Sequence, residues 1–290
     1  MSSKLEFTVP DSCDGMNAKW FLKSQCGVST RMITQLKREK DGILMNGKIL
    51  RSIDPVEAGA RIVINLPREQ MQIEPVNGEL DILFEDDALL ILNKPPLMPV
   101  HPVKQHQTDT LANLVAYRFR GDGSFVFRAV NRLDRNTSGL VMIAKDRFAV
   151  NTMKNAVEKR YLALVHGKTE SCGTIDAPIG LRPDSNIFRC ITENGSRAVT
   201  HYKTLASCKE ISLLELTLET GRTHQIRCHM SYLGHPLIGD DIYGGSRELI
   251  DRQALHCAEM TFSHPLTKKS ISLSAPIPQD MLTVINKFRD

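Results

Sequence analysis

The stretch from Asn131 to Lys145 limits the possible folds of this chain more than any other. Gly139-Leu140-Val141-Met142-Ile143-Ala144 is a largely apolar run, which suits a buried strand. Ala129-Val130 and Leu133 lead in from the other side, so the stretch reads as two short strands around a polar loop. In that loop Asp134 sits among Arg132, Arg135, Asn136, Thr137 and Ser138. If Arg132 and Asp134 both lie on extended backbone, they point to the same face. A flanking cation favours the charged form of an acid, so Asp134 is expected to be ionised. Such a carboxylate can be a nucleophile, a general base or an electrostatic stabiliser. The plainer alternative is a turn in which Asp and Asn bond their own backbone beside a surface ion pair.

The chain around this loop has 290 residues, 41% of them hydrophobic, enough for a substantial core and for two domains. Aromatics are sparse, so Leu, Ile and Val are expected to build that core. The net charge of +4 permits an anionic partner without requiring one. Seven dispersed cysteines with no C-x-x-C pair fit free thiols in a reducing compartment. The start of the chain lacks the apolar core of a signal peptide, and no apolar run approaches the ~20 residues of a membrane span. A cytoplasmic protein with no membrane association is expected.

Residues 1–68 read as a separate module. Trp20-Phe21-Leu22 opens an amphipathic stretch. Ser29 or Thr30 caps a helix with Met32, Ile33 and Leu36 on one face. Ile43-Leu44-Met45 and Arg61-Ile62-Val63-Ile64 read as strands, with Asn46-Gly47 a hairpin turn. Between Asn17 and Arg68, ten basic residues face four acidic ones, a surplus of six. A basic helix followed by a small ribbon suits a phosphate-tracking face, with Lys37 and Arg38 among the basic residues of the module; a solvated helix face is the alternative. Residues 69–79 read as a linker.

The remainder, 80–290, carries further signals. Ile82-Leu83-Phe84 and Leu89-Leu90-Ile91-Leu92 read as strands stopped by Lys94-Pro95-Pro96. Thr110 is expected to cap a helix. Asp146 is expected to cap another, with Ala149, Met153, Ala156 and Val157 on one face, and Tyr161 then opens a strand. Tyr161 reads either as a strand-edge aromatic with its hydroxyl in water or as a platform for a nucleobase. Thr223 is expected to cap a helix ending near Gly234. Ile226, Met230 and Leu233 would share one face, and His224, Arg227 and Ser231 another. Arg227 would then project from the helix's first turn, toward a phosphate or Asp134; a surface arginine is the alternative. His224 and His229 are five apart, off one helical face and without an acid between them, so no metal is expected. No glycine-rich phosphate loop is present, so no cofactor is expected.

Arg132-Leu133-Asp134-Arg135-Asn136-Thr137-Ser138-Gly139-Leu140, followed by Ala144-Lys145, closely resembles the active-site signature of RluA-type pseudouridine synthases, which isomerise uridine in RNA. Further blocks are similar to that family and in its order: Glu85-Asp86 with Asn93-Lys94-Pro95, Tyr161 to Val165, Gly221 to Arg227 and Ala254-Leu255-His256. Asn131 departs from the pattern, standing where the family usually has His. The module at 1–68 resembles the S4 RNA-binding domain in Ser29-Thr30-Arg31 through Leu36-Lys37, Gly42 to Gly47 and Gly59-Ala60-Arg61-Ile62.

The resemblance implies an α+β catalytic domain with a mixed or antiparallel sheet and a central cleft, beside a small S4-like α/β module. It implies Asp134 as the catalytic aspartate, Tyr161 stacked on the target base and Arg227 paired with Asp134. Arg132 would fill the space left by a flipped nucleotide, and Arg135, Arg222, His224, Lys37 and Arg38 are candidate RNA contacts. The expected partner is RNA, ribosomal before transfer RNA, bound by a monomer. A non-catalytic RNA-binding or ribosome-assembly factor is the alternative. An Asp-based glycosidase fits less well, since such enzymes mostly use two carboxylates and no second acid accompanies Asp134 in its loop.

Overall fold

A computed structural model describes residues 4–66, 73–123 and 125–287. The first part of the chain folds as β1 (Lys4–Thr8), α1 (Ala18–Ser24), α2 (Thr30–Leu36), β2 (Ile43–Met45), β3 (Lys48–Ile49) and β4 (Arg61–Asn65). The strands form an antiparallel sheet in the order β1-β4-β2-β3. Asn17 and Ser29 cap the two helices by accepting from the backbone N–H groups of Lys19 and Met32, at 3.0 and 3.2 Å. Asn46 and Gly47, both with positive φ (50° and 81°), turn β2 into β3 as the Asn-Gly pair predicts. Phe21, Leu22, Ile33, Leu36, Ile62 and Ile64 fill a core beneath the sheet.

The rest is built from β5 (Ile82–Glu85), β6 (Leu89–Lys94), α3 (Leu111–Arg118), β7 (Ser138–Ala144), α4 (Arg147–Met153), β8 (Val157–His166) and β9 (Cys172–Asp176). There follow β10 (Ile179–Leu181), β11 (Arg189–Ile191), β12 (Val199–Ser207), β13 (Ile211–Leu218) and α5 (Gln225–Tyr232). The chain continues through β14 (Leu255–Ser263), β15 (Ser270–Ser274) and α6 (Gln279–Lys287). Nine strands make one mixed sheet, in the order β5-β6-β7-β14-β8-β13-β12-β9, with β15 beside β14. Among the described residues only β7 and β14 run parallel, with Ser138 opposite His256 and Gly139 opposite Cys257. All seven residues of β7 are buried, as its apolar run predicts. Gly139 has φ 109°, and a Cβ there would lie 2.2 Å from the Cys257 carbonyl oxygen. Glycine therefore permits the approach of β14, which sets the start of β14 beside the loop before β7.

Several local expectations shift. The helix after Asp146 ends at Met153, and β8 already starts at Val157, where it pairs with Phe262 of β14. A long partner strand claims residues that helical spacing alone assigned to α4. Thr223 does not cap α5. That position falls to His224, held in the left-handed region at φ 55°. Leu233 lies past the helix end and is 39% exposed, unlike Ile226 and Met230. The linker expected over 69–79 lies in part outside the described residues, at 69–72. Its later residues run along α3, where Val76 N–H donates to the Asn113 carbonyl and the Asn113 amide to that of Glu74.

The two parts touch through α4. Phe148 is buried in the core of the amino-terminal unit, with Phe7 edge-on at a centroid distance of 5.9 Å. Arg147 also donates to the Gln35 side chain. Among the described residues no helix is long and apolar enough to cross a membrane, and all seven cysteines are free.

Candidate active site

The signature loop is the turn of a hairpin. Val130 N–H donates to Met142 and Ala144 N–H to Arg128, so 128–130 runs back along β7. Residues 131–137 between them form the loop, with a turn at Arg135-Asn136. Thr137 N–H donates to the Asp134 carbonyl at 3.0 Å, closing a turn that throws the Asp134 side chain outward. Arg132 is exposed and Asp134 half-buried, with Leu133 buried between them, an alternation that leaves both polar side chains on the open side of the loop. Asn131, in place of the family's usual His, clasps the hairpin. Its amide donates to the Leu140 carbonyl at 3.1 Å, and its oxygen accepts from Met142 N–H at 2.9 Å.

Arg227 reaches Asp134 from the first turn of α5, with Nη1 3.1 Å from Oδ2. The rest of its guanidinium is held by Asp240, with Nε and Nη2 at 2.7 and 2.8 Å from the two carboxylate oxygens. Arg227 and Asp240 side chains are 5% and 1% exposed, whereas Asp134 keeps 26%. Burial works against the Arg227 charge, but hydrogen bonds and charge from Asp240, then Asp134, outweigh it and raise its pKa above the ordinary value. One buried cation thus bridges a fully buried acid and one partly open to solvent.

His224 and Tyr243 complete this wall. His224 Nε2 is 3.8 Å from Asp134 Oδ2, and its Nδ1 lies 3.0 Å from the Tyr243 hydroxyl. That hydroxyl accepts from Arg189 N–H at 3.0 Å, and the Tyr243 ring packs 5.0 Å from the Arg227 guanidinium. Burial lowers the His224 pKa, with Asp134 opposing and Arg227 reinforcing the shift. Burial also raises the Tyr243 phenol to about 12. We assign the proton of the neutral imidazole to Nε2, because the phenol's own proton is free to meet Nδ1.

Tyr161 lies in the interior of the sheet on β8, opposite Cys257 on one side and Leu216 on the other. It is neither at a strand edge nor wet: it is 7% exposed, with its hydroxyl on the Cys257 thiol. Burial first, then Cys257 and Asp134, pushes its pKa well above the ordinary phenol value. The Asp134 charge is therefore close enough to be felt at the ring.

Two buried basic side chains brace the loop. Lys94, fully buried at the end of β6, donates to the carbonyls of Pro95, Met98 and Arg135 at 2.7, 2.8 and 3.1 Å. Burial and then the Arg252 charge bring its pKa down to about 7, with Asp134 opposing. Arg252 donates to the Asn136 carbonyl at 3.1 Å and forks onto Asp280 of α6 at 2.6 and 2.8 Å. The two carbonyls after Asp134 are thus each held by a buried basic side chain.

Of the residues singled out from sequence, the fold brings Asp134, Arg227, His224 and Tyr161 together. Arg132 and Arg135 flank Asp134 on the exposed side of the loop, and Arg132 lies near enough to His101 to reinforce a lowering due chiefly to burial. Arg222 turns away, its Nε donating to the Arg197 carbonyl. Lys37 and Arg38 stand exposed after α2, in the amino-terminal unit. Asp240, Tyr243 and Arg252 were not singled out from sequence. Gly239-Asp240 reads as a turn, and an acid facing an arginine 13 positions away leaves no local pattern. His229 and His235 are engaged elsewhere: His229 bonds Thr200 and the Ala177 carbonyl, His235 the His166 carbonyl. Among the described residues no group of three or more His, Cys, Asp or Glu could hold a metal ion.

Comparison with known proteins bears on the family. The family model described as RNA pseudouridylate synthase matches residues 88–232. The uncharacterized RNA pseudouridine synthase YjbO of Bacillus subtilis (strain 168) is 41% identical over 272 residues, 90% of this chain and 95% of its own length. Ribosomal large subunit pseudouridine synthase D of Escherichia coli (strain K12) is 34% identical over 270 residues, 85% of this chain and 82% of its own. The solved structure of human RNA pseudouridylate synthase domain containing 1 superposes with a TM-score of 0.57 at 27% identity, covering 75% of this chain and 98% of that one. A family match that includes the Asp134 loop and runs to the end of α5, with relatives spanning most of the chain, gives the conclusion that this protein belongs to the RluA-type RNA pseudouridine synthases.

Proposed function

We propose that the chain isomerises specific uridines of ribosomal RNA, with Asp134 as the group that starts the reaction. The observation that carries this reading is the Asp134–Arg227 contact of 3.1 Å beside an Asp134 side chain still 26% exposed. A carboxylate held by a buried cation yet open to a cleft can meet a ribose. It acts as nucleophile at C1′ or as base toward the C2′ hydrogen; both break the bond between N1 and C1′. The detached uracil turns and C5 bonds to C1′, which breaks the Asp134 ester on the first route or returns the C2′ hydrogen from Asp134 on the second; the C5 proton then goes to solvent and N1 takes one up. No redox step or cofactor is needed. Tyr161 floors the site under the base and Arg227 aims Asp134. Arg132, on the exposed side of the loop, fills the stack vacated by the flipped nucleotide. Arg135 and His224 supply contacts around Asp134.

Residues 1–68 act as an S4-like RNA-binding unit, with Lys37 and Arg38 on its basic face, and 80–290 as the catalytic domain. Ribosomal RNA is favoured because a relative at 34% identity carries a ribosomal large subunit name and because a basic accessory unit suits structured RNA. The protein works as a cytoplasmic monomer.

RNA carrying tritium at C5 of uridine tests the assignment. Wild-type protein should release tritium from ribosomal RNA, and Asp134→Asn should release none while keeping its fold and RNA affinity. Full release by that variant would remove Asp134 from the chemistry. RNA binding with no release by the wild type would favour an assembly factor.

A further inference from the structure

The amino-terminal unit presents the chain's single tryptophan to solvent. Trp20 is 64% exposed, although Phe21 and Leu22 beside it on α1 are buried. Lys19 N–H donates to the Ser52 carbonyl and Ala18 N–H to that of Asp54, at 3.0 and 2.9 Å. These bonds lay the start of α1 against 52–54, where Ile53 is 75% exposed. The surroundings are cationic. Lys23 Nζ is 5.6 Å from the indole centroid, Lys19 precedes the ring, and Arg51 precedes the turn with Ile53; all three are exposed. The nearby acid, Asp54, is occupied by Arg51 N–H at 2.7 Å.

An exposed indole with an apolar neighbour is a surface that gains from being covered. An apolar protein partner would leave the surrounding ammonium and guanidinium groups unpaired, whereas a nucleotide satisfies both features. Its base stacks on an indole and its phosphate meets a cation. We propose that Trp20 is a stacking platform for an unpaired base of the RNA substrate, with Lys19, Lys23 and Arg51 taking the flanking phosphates. The site rests on reading residues 1–68 as an RNA-binding unit, and adds a specific contact on α1, in a different unit from the Asp134 cleft.

Because Trp20 is the sole tryptophan, its fluorescence reports on this site alone. The full-length protein is titrated with a short single-stranded RNA, a blunt RNA duplex of the same length and inorganic polyphosphate. The single strand should quench Trp20, while the duplex and polyphosphate leave it nearly unchanged. Trp20→Ala should bind the single strand about tenfold more weakly, and Trp20→Phe should recover most of the loss. On ribosomal RNA fragments, Trp20→Ala should raise KM with kcat unchanged. Binding unaffected by Trp20→Ala, or equal quenching by polyphosphate, overturns the proposal. So does shielding of the indole from iodide that grows with protein concentration without RNA, since a second copy would then cover it. Tritium release is scored separately, so loss of the catalytic reading and loss of this one give different results.

Discussion

A buried charge is tolerable only when its partners are fixed, and Arg227 shows this best. Asp240 uses both oxygens on it, leaving one Nη for Asp134. Asp240→Asn should leave a buried guanidinium under-compensated and cost about 3 kcal/mol of stability, read as a shift in urea midpoint. The same variant should lower kcat more than it raises KM, since Asp134 loses its anchor. Lys94 gives a pH signature. Folding brings its pKa down to about 7 from 10.5. Between those values the unfolded chain holds a proton that the folded chain lacks, so the Lys94 contribution to stability rises with pH across that window and is least below it. Unfolding of wild type and Lys94→Met, compared from about pH 6.5 to about pH 9.5, should show the difference moving in favour of the wild type.

At the level of elements, the sheet and the last helix place the loop. Gly139→Ala would push a Cβ into the Cys257 carbonyl at a positive φ. It should cost more than ~1 kcal/mol and lower Tm, because neither backbone strand can retreat. Asp280 on α6 acts from further away. It holds Arg252, which holds the Asn136 carbonyl. Asp280→Asn should therefore cut kcat by about tenfold to a hundredfold with KM nearly unchanged, through misplacement of Asp134. A KM effect alone would mean that α6 serves RNA binding instead.

At the level of the molecule, Phe148 is the side chain that the catalytic body lends to the core of the amino-terminal unit. Phe148→Ala should cost about 3 kcal/mol and split a single thermal transition into two.

The one-dimensional pattern was enough for the apolar strand Ser138–Ala144, the capped helices at Ser29, Thr110 and Asp146, and the Asn46-Gly47 turn. Each depends on residues within a few positions of one another. Resemblance along the chain then singled out Asp134, Tyr161 and Arg227. What residue order could not show was pairing across distance. Val157 joined β14 instead of extending α4, and His224 took a left-handed backbone that displaced Thr223 as the cap. Asp240, Tyr243 and Arg252 became part of the site only when the parallel strand pair, β7 with β14, brought their loops together. Local hydrogen bonds and hydrophobic spacing are written in neighbouring residues. The compensation of a buried charge depends on which distant groups the packed sheet delivers to it.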